Sequence, residues 1–257
     1  MLTRGHNVQI YLSPHLDDVA LSCGGRIWQQ ARSGASVRVI TIFAGAPDPD
    51  QQLSPFARDL HARWGTPVDA VRTRRTEDLQ ALGILGAQAV HWRYQDCVYR
   101  RSEQGHFAYP DEEALWGPID PADASLVRQL RDRIGGLCLE SSAHLYVPLA
   151  VGGHVDHRIV RRAAEQSGAR LTYYEDFPYA EDAESVTTAI GDRAWNLEWL
   201  TLSEEALRTK IAALARYRSQ VSTFWQDPEE MAASVRGYAE LLGGEAPAER
   251  YWRVRPA

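Results

Sequence analysis

Apolar residues along this chain alternate between short β-branched runs and longer stretches with apolar positions three and four apart. Residues 8–12 read as a first buried strand ending at Pro14. A helical pattern then runs from Val19 through Leu21, Ile27, Trp28 and Ala31, and Gly34 stops it. Residues 37–43 form the clearest β-branched run. Further strands are expected at 89–94, 144–148, 171–175 and 195–200, and helices at 55–64, 68–83, 122–139, 156–166, 203–220 and 227–242. Only a short tail, carrying Trp252 and Val254, is expected after the last helix. Residues 96–121 are rich in turn formers and aromatics, and so long an irregular stretch is more often functional than filler.

Strand–helix–strand succession implies right-handed crossovers in a parallel sheet. The expected fold is α/β: a Rossmann-like three-layer sandwich with a mainly parallel sheet of order 3-2-1-4-5. One domain over 1–257 is the simplest organisation, with 178–257 as a C-terminal elaboration where the alternation weakens. In that order strands 1 and 4 are neighbours, and ligands bind beyond their carboxyl ends at the switch point.

The residues after those two strands carry the chemistry. Ser13-Pro14-His15-Leu16-Asp17-Asp18 follows strand 1, and Gly153-His154-Val155-Asp156-His157 follows strand 4. The first βα turn of a nucleotide-binding fold is Gly-rich, but here it carries two carboxylates. No GxGxxG or GxxxxGK occurs. Two imidazoles and a carboxylate suit a catalytic zinc with an open position, and a second carboxylate nearby could act as general base. The two clusters supply those four groups with one His and one Asp to spare.

Composition narrows the class further. The net charge of −6 gives no footprint for nucleic acid, and 44% hydrophobic with 24% charged residues is ordinary for a globular enzyme. No run of about 18 apolar residues suggests a membrane span. The start lacks the apolar core of a signal peptide. Cys23, Cys97 and Cys138 are odd in number and form no CxxC pair, which fits reduced thiols in a cytoplasmic protein. Cys23 falls on the apolar side of the first helix and is expected in the core. His6, His61, His91, His106 and His144 stand alone and are expected at the surface or in packing.

The two turns resemble the paired motifs of the PIG-L/LmbE-like family of zinc-dependent N-deacetylases. Ser13–Asp18 is similar to its first motif and His154–His157 to its HxDH motif. Arg74 and Glu77 resemble an RxxE helix, while the segments 174–179 and 217–220 look like further family stretches. The resemblance implies that His15, Asp18 and His157 bind Zn2+, with Fe2+ as the alternative ion. It also makes Asp17 the base that activates water. His154 becomes the oxyanion stabiliser or the acid toward the leaving amine, and Asp156 the partner that orients a ligating imidazole. The division of labour between Asp17 and Asp18 comes from the family alone. Leu16 and Val19 depart from the usual proline and acid, and Gly152 stands where some members have tyrosine.

The function so implied is hydrolysis of an N-acetyl group on an N-acetylglucosamine-type sugar or glycoconjugate. The chain is then a small-molecule enzyme, with a homo-oligomer left open. Arg74, Tyr99 and Arg100 are candidate substrate contacts, although Arg74 and Glu77, at i and i+3, also make an ordinary helical ion pair. Trp92, Tyr94, Tyr99 and Trp116 could form a sugar platform or simply pack. Two rivals are a non-catalytic sugar- or metal-binding module and a mononuclear Fe(II) oxygenase, whose two His and one carboxylate normally sit on a β-barrel.

Overall fold

Strand β1 (Val8–Ser13) lies at the centre of a seven-stranded sheet, in parallel register with β2 (Ser36–Thr41) on one side and β4 (His144–Pro148) on the other. The computed structural model of the chain describes residues 8–66, 69–137 and 143–255. Strand β3 (Gln88–His91) pairs with β2, and β5 (Leu171–Tyr174) with β4, both parallel, so the expected order 3-2-1-4-5 holds. Beyond β5 the sheet continues antiparallel through β7 (Ala248–Val254) to β6 (Trp195–Thr201), giving β3-β2-β1-β4-β5-β7-β6. This open sheet is not the β-barrel that the oxygenase reading requires. Among the described residues no helix is long and apolar enough to cross a membrane.

Side chains of successive strand residues point to opposite faces, and this separates two cores. Ile10, Leu12, Ile40, Leu145 and Val147 face α4 (Ala124–Leu137) and α5 (Val155–Gln166). Tyr11, Val37, Val39 and Tyr146 face α1 (Asp18–Arg32), α3 (Ala70–Leu85) and α7 (Glu204–Leu214). Cys23 is fully buried on that second face, as its position on α1 implied. Gly34, at φ +86°, turns the chain out of α1 in a conformation that glycine adopts without strain. Helix α2 (Pro55–Arg63) packs with residues of the 96–121 stretch in a third, smaller cluster around Ala57, Val98, Tyr99 and Leu115. That stretch folds as short 3-10 turns at Cys97–Tyr99, Glu113–Trp116 and Pro121–Asp123.

Three elements differ from expectation. Helix α6 (Ala183–Ile190), capped by Asp182 on the backbone N–H groups of Glu184 and Ser185, has no counterpart in the sequence reading. The helix expected over 203–220 is two, α7 and α8 (Arg218–Phe224), while α9 (Pro228–Gly243) follows as expected. The presumed tail is strand β7. In it Glu249 accepts from Lys210 Nζ at 2.9 Å and from the Gly25 and Arg26 backbone N–H groups. Arg250 pairs with Glu175 at 2.5 Å. Tertiary partners thus place charged residues inside a strand that local pattern would not choose. His6, Cys138 and the final positions of the helix expected over 122–139 lie outside the described residues.

Candidate metal and catalytic site

The first cluster sits where β1 turns into α1, and hydrogen bonds fix each of its atoms. Ser13 Oγ donates to the His15 carbonyl at 2.6 Å and accepts the Val19 N–H at 3.2 Å, closing the turn. The His15 N–H donates to Asp18 Oδ2 at 2.7 Å. Leu16 is buried, so the residue that departs from the family motif serves as packing. The second cluster opens α5, where His154 is the N-cap and His157 lies in the first turn.

The two turns meet. Asp18 Oδ2 lies 3.3 Å from His15 Nδ1 and 3.3 Å from His157 Nε2. Metal–ligand bonds of about 2.0–2.1 Å in tetrahedral geometry put neighbouring donors about 3.3–3.4 Å apart, so both edges from Asp18 match a zinc-type site, and all three donors lie within 4.8 Å of one another. The outer nitrogens are also engaged. His157 Nδ1 is 2.7 Å from Asp176 Oδ1, and His15 Nε2 is 3.1 Å from Asp156 Oδ2. With protons on those outer nitrogens, both inner nitrogens keep free lone pairs for a cation, and their orientation is fixed from behind.

Two other groupings are close enough to chelate: His15 with His154 and Asp156, and Asp96 with Cys97 and Asp156. Both need Asp156, whose acceptor positions are already taken. Its Oδ2 accepts from Cys97 N–H at 3.0 Å and faces His15 Nε2, while Oδ1 accepts Arg100 Nη2 at 2.6 Å. Burial, then the Asp156 and Asp96 charges, push the Cys97 thiol well up, so the thiolate is disfavoured as a ligand. The first triad therefore fits a divalent cation best.

The charge pattern agrees. Burial alone would raise the Asp18 carboxyl, but the His157 and His15 imidazoles hold it well below the usual range. Burial opposes charge on His157 as well, yet Asp18 and the Asp176 hydrogen bond push it up to about 10. His15 is likewise raised, chiefly by Asp18. His154 behaves oppositely: burial and the neighbouring His15 and His157 hold it well below the usual range, hence neutral. Its Nδ1 accepts the Asp156 N–H at 3.2 Å, which leaves the proton on Nε2 as a donor.

Asp17 stands apart from the triad. Burial pushes its carboxyl up to about 7, with the Arg74 guanidinium opposing and Asp18 adding to the shift. Arg74 Nη2 lies 3.7 Å from Asp17 Oδ2, and its guanidinium stacks over Trp64 at 4.7 Å. His15, Asp17, Asp18, Arg74, Asp96 and His154 open on one cavity of about 320 Å³, while His157 lies buried behind Asp18 with its Nε2 3.3 Å from Asp18 Oδ2.

Residues 10–167 match the family described as GlcNAc-PI de-N-acetylase, PIG-L. The chain belongs to the PIG-L family. A 2'-N-acetylparomamine deacetylase of Niallia circulans is 29% identical over 95% of the chain and 93% of its own length. An enzyme of the same description from Streptomyces fradiae is 33% identical over 72% of the chain, which spans 61% of that relative. The zinc-inhibited form of teicoplanin deacetylase Orf2 superposes with a TM-score of 0.86 at 28% identity, covering 98% of this chain and 99% of the other.

In this PIG-L chain, two expected substrate contacts need correction. Tyr99 is buried with its hydroxyl 2.6 Å from His61 Nε2, and Arg100 is held between Asp156 and Asp123. Neither lines the cavity, because both belong to its supporting layer. Of the four aromatics offered as a sugar platform, only Trp116 faces the cavity; Trp92 is core, capped by Arg133 at 4.0 Å. Arg74 does face it. The Arg74–Glu77 ion pair does not form, since Glu77 accepts from the Ser219 N–H and hydroxyl at 3.0 and 2.6 Å.

Asp176 and Tyr179 were not singled out from the sequence. Asp176 follows the end of β5, the same strand-end position that gave both motifs, and that rule would have found it. Tyr179 fills the space over Gly152. A Cβ on that glycine, at φ +81°, would lie 3.0 Å from the ring. Gly152→Ala is expected to lose about 1–3 kcal/mol through positive-φ strain and the Tyr179 clash, lowering the melting temperature; an unchanged melt would contradict that packing.

Proposed function

We propose that this PIG-L chain is a metal-dependent deacetylase, with Zn2+ as resident ion and Fe2+ as alternative, that removes the N-acetyl group of an N-acetylglucosamine-type sugar or conjugate. The observation that carries the reading is a carboxylate outside the triad, Asp17, on the same cavity as His15 and Asp18, with His157 Nε2 3.3 Å from Asp18. The paromamine and teicoplanin deacetylases among its relatives support the same substrate class.

His15, Asp18 and His157 would hold the ion, which when bound lowers the pKa of water and polarises a carbonyl oxygen. Asp17 accepts a proton from the attacking water on its carboxylate oxygen. It then returns that proton to the amide nitrogen as the C–N bond breaks, leaving acetate and a free amine. Arg74 keeps Asp17 oriented from 3.7 Å. His154 Nε2–H donates to the oxygen on which negative charge develops. Asp156 and Asp176 hold the two ligating imidazoles in register.

The test is acetate and amine release from a panel of N-acetylglucosaminides, with the protein metal-loaded and then chelated. Release that stops on chelation and returns with metal is expected, and no release from any member would overturn the reading. Binding also has a proton signature. Ligation requires neutral imidazoles, whereas the cation-free site holds protons on His157, at about 10, and on His15. Adding zinc to the chelated protein in weak buffer near pH 7.5 should release protons, and affinity should weaken as pH falls. Metal uptake without acidification would place the ion elsewhere.

A further inference from the structure

The cavity is not uniformly polar. Helix α2 turns Phe56 and Leu60 toward it at i and i+4, Trp64 follows one turn on, and across from that stripe stand Trp116 and Phe224. Trp116 meets the His154 ring edge-on at 5.3 Å and the Tyr179 ring at 5.4 Å, and Phe224 meets Tyr179 at 5.9 Å. This aromatic rim is therefore continuous with the catalytic groups. Of the five exposed large hydrophobic side chains among the described residues, only Trp116, at 39%, faces the cavity. An exposed tryptophan on a half-buried apolar wall is surface that a ligand can cover.

The acids of the same cavity are committed. Asp18 sits between His15 and His157, and Asp17 faces Arg74. Asp96 accepts the Val98 N–H at 3.2 Å, and Glu112 lies 4.0 Å from Arg63. Two carboxylates away from the metal triad, Asp17 and Glu112, already face arginines, so a polycation would compete with Arg74 and Arg63 for them. Together these observations favour an uncharged, apolar partner for the wall.

We propose that the wall formed by α2, Trp116 and Phe224 is a subsite for an apolar aromatic aglycone, so that the substrate is an N-acetylglucosaminyl group carried on such a ring system and not on an aminocyclitol polycation. The inference rests on the deacetylase reading for its substrate and goes beyond it in naming what the sugar is attached to.

Calorimetric dissociation constants for methyl and phenyl N-acetyl-β-glucosaminide, with 2'-N-acetylparomamine as third ligand, test this on the metal-loaded full chain. The phenyl glycoside should bind roughly tenfold more tightly than the methyl one, the scale of burying part of one ring. That ratio should fall to about twofold or less in Phe56→Ala and, separately, in Trp116→Ala, whose exposed side chain makes misfolding a smaller concern. A ratio near one in the parent protein, tighter binding of 2'-N-acetylparomamine, or ratios unmoved by both variants would each overturn the subsite. The deacetylase reading fails separately: a phenyl preference with no acetate released from any glycoside keeps the subsite and removes the hydrolysis.

Discussion

Asp17→Asn should retain the metal and lose about 10²–10⁴-fold in turnover, the range that a positioned general base supplies. Asparagine keeps the shape and can still face Arg74, but it cannot accept a proton. The adjacent carboxylate is a poor candidate for the same task. Asp18 is wedged 3.3 Å from each of the His15 and His157 imidazoles and is held ionised by them. Asp17, pushed up to about 7 mainly by burial, is matched to proton transfer near neutral pH. A base works only when deprotonated, so the kcat/KM of the parent enzyme should fall as pH drops through its acid limb. A cation held by Asp18 would favour the ionised form of Asp17 and move that limb to lower pH. The residual rate of Asp17→Asn should lack the limb. Metal analysis alongside the pH profile decides the matter: full turnover with bound metal would remove Asp17 from the base role, and loss of metal would make it a ligand.

How much of this was legible in the chain depends on where the determining interaction lies. Strands β1 to β5 and their order could be read because apolar periodicity and the crossover rule are local or topological. The convergence of His15 with His157 followed from the same topology, since both lie beyond adjacent strand ends. Strand β7 was hidden because the partners of Glu249 and Arg250 come from α1, α7 and Glu175, the residue after β5. Tyr99 and Arg100 were misread for a related reason. A polar aromatic and an arginine in an irregular loop look like surface chemistry, and nothing nearby in sequence reveals that His61, Asp123 and Asp156 bury them. Asp18's bridging position between the two histidines, by contrast, needed coordinates, because Asp17 and Asp18 are equivalent in any pattern.

Asp156→Asn is expected to cost about 3–5 kcal/mol of stability, as breaking a buried charge pair does, and 10–100-fold in metal affinity. The carboxylate is completely buried, and three donors converge on it: the Cys97 N–H at 3.0 Å, His15 Nε2 at 3.1 Å and Arg100 Nη2 at 2.6 Å. Arg100 and the His15 hydrogen bond hold it far below the usual carboxylate range despite burial. An amide can serve Arg100 through its oxygen, but its NH₂ then faces two other donors. Either Cys97 N–H and His15 lose their acceptor, or Arg100 is left buried beside an uncharged partner. The stability loss should lower the melting temperature by roughly 10 °C for a chain of this length. Because Asp156 touches His15 from behind and is not in the triad, the variant should still take up zinc at raised concentration and regain activity. His157→Ala, which deletes a ligand outright, should not be rescued in that way. Equal loss in the two variants would put Asp156 among the ligands and favour the grouping of His15, His154 and Asp156 as the metal site.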